Sequence, residues 1–266
     1  MPSRSTTRKN PVMCSGAQLI ISHRLERNDA LHGVTGSGSV TKDSMQRPFP
    51  KYKVFAVGDI HGCYRKLVSL MERLPLDAAT DFLIFLGDYI NRGPESREVI
   101  EYLLEVGRKV QNTVFLLGNH EYALLEYYRT GNLDYLRMLR SMCVEETLSS
   151  YSNSAVYSLG DLSFLPREHI RFLESLRLYF RLEGYLFIHA GTIPGEDIDH
   201  CPPDRLLTVR ERFLHDEKAS DEITVFGHTP FETPLVTRNK IGIDTGAAHG
   251  NLLTAVELPR MRFYHA

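Results

Sequence analysis

The chain has 266 residues, of which 42% are hydrophobic and 24% are charged, a composition typical of a globular protein with a buried core. The formal net charge of -2 gives no general attraction to nucleic acid, and no apolar stretch approaches the ~18 residues of a membrane helix. The four cysteines form no C-x-x-C pair, which excludes a zinc ribbon or redox motif of that kind and favours a reduced, cytoplasmic protein.

Residues 1–50 differ in composition from the rest of the chain. They hold seven Lys and Arg residues against three Asp and Glu residues, and the segment Gly33–Ser39 has the composition of a flexible linker. We therefore predict a disordered basic extension over residues 1–50 and a folded domain over residues 51–266. A transit peptide is one alternative, because the first 25 residues are basic and contain no acid. Another alternative is that the translation start site has been assigned too far upstream.

From residue 51 onward, short apolar runs alternate with helical patterns. Val54–Val57, Phe82–Leu86 and Val114–Leu117 are typical of buried strands, and each is followed by a glycine and a polar residue. Between the strands, apolar residues recur at helical spacing from Leu67 to Leu74 and from Val99 to Val106. This alternation predicts βαβ units and an α/β fold.

The second half of the domain turns from helices to strands. Residues 132–176 are predicted to be mostly helical and to carry little chemistry. A tight hairpin is predicted around Glu183-Gly184, and another turn is predicted at Asn239-Lys240. The predicted strands are Tyr179–Leu182, Tyr185–Ile188, Ile223–Phe226, Leu253–Leu258 and Met261–Tyr264.

Five short segments share one design, in which strand residues are followed by glycine beside a residue that can bind a metal. In chain order they are Gly58-Asp59-Ile60-His61-Gly62, Gly87-Asp88-Tyr89-Ile90-Asn91-Arg92-Gly93, Gly118-Asn119-His120-Glu121, His189-Ala190-Gly191 and Gly227-His228. Glycine allows sharp turns and close approach of the backbone. Open α/β sheets place their sites at the carboxyl ends of strands, so we expect these side chains to converge.

The donor atoms of these segments indicate the metal chemistry. Carboxylate, imidazole and amide oxygen together suit Mn, Fe or Zn better than a metal that prefers thiolates. An Asp can bridge two ions through its two oxygens, and two such ions can clamp a phosphate and activate a water molecule. The sequence predicts two divalent metal ions, with Mn preferred and Fe or Zn as alternatives, in a site that hydrolyses phosphate esters.

The ordered set of segments resembles the phosphoprotein phosphatase family of calcineurin-like metallophosphoesterases, and its bacterial serine/threonine protein phosphatases in particular. The resemblance runs from about Lys53 to Leu258 and includes Val225 to Pro230 and Ile243 to Gly246. It implies a four-layer αββα sandwich over residues 51–266, with a dinuclear metal site at the carboxyl ends of the strands.

The resemblance also implies a role for each matching residue. It makes His120 the general acid that protonates the leaving group, with Asn91 at the position of its partner. Arg92 and Arg210 match the arginines that bind the substrate phosphate, and Asn119 also faces that phosphate. The metal ligands implied are Asp59 and His61 for the first ion, Asp88 as the bridge, and Asn119, His189 and His228 for the second ion.

The pattern departs from the family at two positions. Most protein-phosphatase members have Asp where this chain has Asn91, and that Asp pairs with the acid histidine, here His120. Asn can still accept a hydrogen bond through its amide oxygen, but it has no charge. We therefore predict reduced activity on poor leaving groups. Thr208 stands where bacterial members often have Trp, which makes the assignment of Arg210 less direct.

Three functions from different classes follow from this pattern. The leading prediction is a phosphoserine/phosphothreonine protein phosphatase that uses a metal-bridging water as nucleophile. The alternative is a symmetric bis(5'-nucleosyl)-tetraphosphate hydrolase, whose members resemble the segments Gly58–Tyr64 and Arg92–Pro94 and typically have Asp at the position of Glu121. The third is a weakly active or inactive phosphatase that binds phosphoproteins. No nucleic acid or membrane partner is predicted, and the oligomeric state is left open.

Two further residues near these motifs are predicted to play no part in the chemistry. His249, in Ala248-His249-Gly250, is interpreted as a surface loop residue. Asp244 follows a strand as the metal-binding residues do, but the family does not use it as a ligand.

Overall fold

The computed structural model describes residues 51–152, 159–217 and 222–266. The predicted basic extension, residues 1–50, and its transit-peptide alternative lie outside these residues. Within the described part of the chain, no helix has both the length and the apolar character needed to cross a membrane.

The first sheet has five strands, and its centre is parallel. β1 (Val54–Val57), β2 (Phe82–Phe85) and β3 (Asn112–Phe115) run parallel in that order. β9 (Thr254–Leu258) is antiparallel to β1, and β10 (Arg262–His265) closes the edge. The predicted βαβ units are therefore confirmed.

The second sheet also has five strands around a parallel centre. β5 (Tyr185–Ile188), β6 (Ile223–Phe226) and β8 (Lys240–Gly242) are parallel. β4 (Tyr179–Leu182) forms the predicted hairpin with β5, and β7 (Leu235–Val236) is antiparallel to β8.

Eight α-helices connect and cover the strands within the described residues. Each of the first two joins parallel strands, and the next four follow one another after β3. The helices are α1 (Tyr64–Arg73), α2 (Ser96–Lys109), α3 (Asn119–Thr130), α4 (Leu133–Ser141), α5 (Val144–Ser150), α6 (Arg167–Glu174), α7 (Pro203–Thr208) and α8 (Glu211–Leu214).

Successive side chains along a strand point to opposite faces of the sheet, so one strand contributes to the cores on both faces. Val54 and Ala56 of β1 join a core that also contains Phe187 of β5 and other residues of the second sheet, so the two sheets pack face to face. Phe55 and Val57 join the core formed with α1, α2 and α3. A third core lies between the outer face of the second sheet and α7 and α8. The order helix, sheet, sheet, helix confirms the predicted α/β sandwich.

Several predicted boundaries differ from the structure. The predicted strand Phe82–Leu86 ends at Phe85, Leu253–Leu258 begins at Thr254, and Met261–Tyr264 is observed as Arg262–His265. The predicted third strand, Val114–Leu117, begins earlier, at Asn112, and ends at Phe115. Beyond it, the Leu116 backbone nitrogen still donates to the Phe85 carbonyl, whereas that of Leu117 donates to the Arg177 carbonyl. The predicted turn at Asn239-Lys240 lies one residue earlier, since Lys240 already belongs to β8.

Candidate functional site

The five metal-binding segments come together at one edge of the sandwich. Each begins within three residues of the carboxyl end of a parallel strand, three from the first sheet and two from the second. All six predicted metal ligands are buried: Asp59, His61, Asp88, Asn119, His189 and His228. The two sheets therefore contribute to a single polar cluster, as the sequence predicts.

The first group of donor atoms surrounds one oxygen of Asp88. His61 Nε2 lies 3.4 Å from Asp88 Oδ2 and 3.9 Å from Asp59 Oδ2. His120 Nε2 lies 3.7 Å from the same Asp88 oxygen. His61, Asp88 and His120 together could hold a metal ion by their spacing. His120, predicted as an acid, thus lies at the edge of the predicted first metal position.

The second group also includes Asp88. His189 Nε2 lies 3.5 Å from Asp88 Oδ2 and 3.0 Å from Asn119 Oδ1. His228 Nδ1 lies 2.8 Å from the same Asn119 oxygen. Asp88, His189 and His228 are spaced to hold a second ion. Because Asp88 belongs to both groups, its position suits the predicted bridging ligand.

Backbone carbonyls orient two of the imidazole rings. His61 Nδ1 lies 3.1 Å from the Ile90 carbonyl oxygen, and His189 Nδ1 lies 2.9 Å from that of Leu86. Each ring donates its Nδ1–H to a carbonyl, so Nε2 is left as the unprotonated nitrogen that faces the cluster. Contacts of this kind fix the tautomer of metal-binding histidines in proteins.

The charge state of the cluster fits a divalent cation. Burial raises the pKa of Asp59 well above its usual range and that of Asp88 to about 7. Burial also lowers the pKa of His189 to about 4, and it lowers those of His61 and His228 well below the ordinary value. Buried carboxylates beside neutral imidazoles are stabilised when they share a cation, and these donors are the ones that Mn, Fe and Zn accept.

Several site residues hold strained backbone conformations. These non-glycine residues have φ in the left-handed region, where each costs roughly 1–3 kcal/mol unless its surroundings fix it. They are His61, Asp88, Asn91, Arg92 and His228, with φ between 47° and 69°. Strain at five positions of one cluster indicates that the site geometry is held by surrounding contacts.

Glu121 supplies many of those contacts around Asp88. Its carboxylate accepts hydrogen bonds from the backbone nitrogens of Asp88 (3.0 Å), Tyr89 (2.8 Å), Ile90 (3.1 Å) and Gly118 (3.2 Å). A side chain at Gly118 would overlap the backbone nitrogen and the carboxylate of Asp88. The segment Gly118–Glu121 therefore fixes the backbone of the segment that contains Asp88. Glycine is required at position 118 because the two segments are in contact there.

His120, the predicted general acid, is part of a buried network. Asn91 Nδ2 lies 3.0 Å from His120 Nδ1, and the Thr147 hydroxyl donates to Asn91 Oδ1 at 2.7 Å. The Asn91 backbone nitrogen donates to Thr147 Oγ1 at 2.8 Å, and Ser96 Oγ lies 3.1 Å from the same hydroxyl. The amide nitrogen of Asn91 therefore faces His120. The expectation that the amide oxygen would accept from His120 is wrong, because Thr147 occupies that oxygen.

Two arginines border the cluster. Arg92 Nη1 lies 2.9 Å from His61 Nε2, and Arg210 Nε donates to His228 Nε2 at 3.1 Å. Both predicted phosphate-binding arginines are thus placed beside predicted metal ligands. His249 is exposed, as expected of a surface loop residue, but its Nε2 lies 3.4 Å from Arg92 Nη1, so it also belongs to the rim of the site.

The sequence did not indicate three contributions to this site. Thr147 lies in the helical region expected to carry little chemistry, and nothing in its local pattern separates it from an ordinary helix residue. His249 does precede a glycine, as the predicted ligand His61 does in its segment, and that signal could have identified it. Asp244 is buried, and its charge helps to raise the pKa of Asp59, second to burial. Its own carboxylate accepts from the Gly246 backbone nitrogen at 2.9 Å.

A comparison with protein families agrees with this geometry. The profile described as calcineurin-like phosphoesterase matches residues 52–252, which is more than half of the chain. The chain belongs to the calcineurin-like phosphoesterase family. It is therefore a metallophosphoesterase, a hydrolase of phosphate esters or anhydrides, and the predicted family resemblance is confirmed.

Individual curated proteins and solved structures are also similar to this chain. The asymmetrical bis(5'-nucleosyl)-tetraphosphatase PrpE of Geobacillus thermodenitrificans (strain NG80-2) is 31% identical over 232 residues, covering 77% of this chain and 90% of the relative. A crystal structure named provisionally as a diadenosine tetraphosphatase has a TM-score of 0.60 at 23% identity, covering 80% and 92% of the two chains. A Saccharomyces cerevisiae serine/threonine phosphatase with similarity to human PP5 has a TM-score of 0.51 at 16% identity, covering 80% and 74%. The two structures show the shared fold.

Proposed function

We propose that this protein hydrolyses a phosphoanhydride bond of a dinucleoside tetraphosphate, with asymmetric products and with bound divalent cations. The observation that carries the proposal is the pairing of His120 with Asn91, whose amide nitrogen faces the ring at 3.0 Å. The name of the relatives supports the same substrate class.

The pairing matters because it determines what His120 can donate. An amide N–H pointing at Nδ1 requires that nitrogen to accept, so the single proton of the neutral ring is on Nε2. His120 Nε2 is buried and has no hydrogen-bond partner among the residues that the structure describes. His120 is thus a hydrogen-bond donor to the substrate, without the carboxylate that would support an imidazolium.

A neutral donor suits a leaving group that needs little protonation. The conjugate acid of a departing serine alkoxide is about as weak an acid as water, so this leaving group requires a strong general acid. A departing nucleoside phosphate has a conjugate acid with a pKa on the order of 6, so a hydrogen bond is sufficient. This difference favours an anhydride over the phosphoserine or phosphothreonine of the leading sequence prediction.

The proposed cation ligands follow the two groups of donors. Asp59, His61 and Asp88 would hold the first cation, and Asp88 with Asn119, His189 and His228 would hold the second. Bound cations lower the pKa of water to give a nucleophile at neutral pH and offset the negative charge of the phosphate. Manganese, with iron or zinc as alternatives, stays our prediction from the donor set.

The protein's own residues perform the remaining steps. Arg92 and Arg210, with the Asn119 amide, bind phosphate oxygens, because guanidinium groups remain charged and present paired donors. His120 donates its Nε2–H to the bridging oxygen as the bond to phosphorus breaks. The attacking water forms one bond to phosphorus and loses its proton to solvent, and the electron pair of the broken bond stays with the departing phosphate.

The test is a substrate panel on the purified full chain with Mn²⁺. Diadenosine tetraphosphate, a phosphoserine peptide, a phosphotyrosine peptide and p-nitrophenyl phosphate are compared by kcat/KM, and nucleotide products are separated by anion exchange. We expect the tetraphosphate to give equal amounts of AMP and ATP. Hydrolysis in ¹⁸O-water should label AMP, which shows attack at the α-phosphorus.

Other results of the substrate panel would support one of the alternative functions. Two ADP molecules per substrate would establish the symmetric alternative, and a higher kcat/KM for the phosphoserine peptide would establish the protein phosphatase. Turnover of none of the four substrates would leave only the phosphoprotein-binding alternative. His120→Asn is the loss control, and His200→Ala, an exposed histidine paired with Asp197, is the matched neutral control.

A further inference from the structure

The orientation of the Asn91 amide is determined by a residue from a distant part of the chain. Thr147 is on α5, is 1% exposed, and reaches Asn91 across 56 positions of sequence. It contacts both the backbone nitrogen and the side-chain oxygen of Asn91, at 2.8 and 2.7 Å. Ser96, the first residue of α2, contacts the same hydroxyl at 3.1 Å.

The direction of each hydrogen bond follows from the donors available. The backbone N–H of Asn91 can only donate, so Thr147 Oγ1 accepts that bond and its own proton points elsewhere. A separation of 2.7 Å to the Asn91 side chain is the usual length of an O–H···O bond, whereas N–H donors usually lie at about 2.9–3.0 Å. The distance of 3.0 Å between Asn91 and His120 fits an N–H donor from the amide.

We infer that Thr147 is a positioning residue that selects the tautomer of His120. The Thr147 hydroxyl holds the Asn91 oxygen, the Asn91 nitrogen faces Nδ1 of His120, and the ring therefore carries its proton on Nε2, toward the substrate. Without the hydroxyl the amide can rotate, and its oxygen then favours a proton on Nδ1. The ring would then present a lone pair to the leaving group, where a donor is needed.

This inference rests on the proposed role of His120, and it is independent of which phosphate compound is the natural substrate. Thr147→Val removes the hydroxyl while keeping the shape of the side chain, and Thr147→Ser restores the hydroxyl. Ser150→Ala is the matched control, because Ser150 is on the same helix and its hydroxyl donates to the Thr147 carbonyl, away from Asn91.

The direct measurement is the ¹⁵N spectrum of histidine-labelled full-length protein loaded with Zn²⁺, which is diamagnetic. His120 is assigned by its loss in His120→Asn. We expect the proton on Nε2 in the unaltered protein, in Thr147→Ser and in Ser150→Ala, and a shift toward the Nδ1-protonated form in Thr147→Val. An unchanged tautomer in a folded Thr147→Val protein, judged by thermal unfolding, would overturn the inference.

The second measurement uses Mn²⁺-loaded protein and a series of aryl phosphates with leaving groups of increasing pKa. For Thr147→Val we expect kcat to fall by about twofold on p-nitrophenyl phosphate and by about tenfold on phenyl phosphate, with KM unchanged. Thr147→Ser should recover the original slope. If His120→Asn itself does not steepen the slope, the proposed role of His120 fails. If it does and Thr147→Val does not, only the role of Thr147 fails.

Discussion

Asn91→Asp is the substitution that tests most directly why this site would prefer good leaving groups. A carboxylate at this position would accept from both the Thr147 hydroxyl and Nδ1 of His120, at the places now taken by the amide oxygen and nitrogen. The His120 ring would then carry a proton on Nδ1, and protonation of Nε2 would give an imidazolium paired with the new carboxylate.

The magnitude follows from the contact distance of 3.0 Å. A hydrogen bond between charged partners contributes about 1.5–3 kcal/mol, which corresponds to about 10-fold to 100-fold in the proton affinity of His120. Only part of a change in acid strength reaches the rate, because proton transfer is incomplete in the transition state. We expect kcat/KM on a phosphoserine peptide to rise about threefold to tenfold, and that on p-nitrophenyl phosphate to change by under about twofold.

The assay compares these two substrates at saturating Mn²⁺ and neutral pH for both proteins. Asn91 is fully buried, so the added carboxylate costs stability, and thermal unfolding of the variant is measured to confirm that it is folded. Thr147→Val in the Asn91→Asp background removes one donor to the new carboxylate and should reduce the gain. A ratio of peptide to p-nitrophenyl phosphate turnover equal to that of the unaltered protein would refute the reasoning.

Three further predictions concern the metal cluster. Burial raises the pKa of Asp88 to about 7, above its value of about 3.9 in the unfolded chain. Through this group, the free energy of unfolding of the chelated protein therefore falls as the pH rises from about 4 to 7. Asp88→Asn should therefore unfold at a higher temperature than the unaltered protein at pH 8 in chelator, and should show no Mn²⁺-induced rise; a lower unfolding temperature contradicts this. Glu121→Gln places an amide donor against backbone donors and should cost about 2–4 kcal/mol in urea unfolding, whereas an unchanged midpoint would exclude that role. Gly118→Ala overlaps Asp88 and should abolish Mn²⁺ binding in titration calorimetry, whereas Gly160→Ala, which has open space, should bind as the unaltered protein does.

The cluster of candidate metal ligands could be predicted because its residues are adjacent to the strongest pattern in the chain. Val54–Val57 and Ile223–Phe226 are apolar runs bounded by glycine, and the structure places strands at these same residues. Asp59 and His228 follow those strands within two residues, so the sheet brings their backbones to the site. Parallel order then brings the strand ends together, and that order follows from the helices between the strands.

The surroundings of His120 could not be predicted in the same way. Thr147 lies in a short helix, and its contact with Asn91 depends on how α5 packs against α2, which local pattern does not encode. The sequence identified Asn91 as a departure from the family, but it did not indicate which end of the side-chain amide, oxygen or nitrogen, faces His120. The wrong expectation for the amide oxygen has the same origin, since the competing hydroxyl comes from a region 56 residues away.

Polar contacts join the two sheets at this site. Asn119, which follows the first sheet, has its side-chain oxygen within 3.0 Å of His189 and 2.8 Å of His228, both from the second sheet. The Asp59 carboxylate accepts from the His228 backbone nitrogen at 3.0 Å. His189 gives its single proton to the Leu86 carbonyl, so the hydrogen bonds that join the sheets here are those from His228 to Asn119 and to Asp59. Both bonds are made within the protein and need no cation. Chelation should therefore remove activity without unfolding the chain, and added Mn²⁺ should restore it without a refolding step.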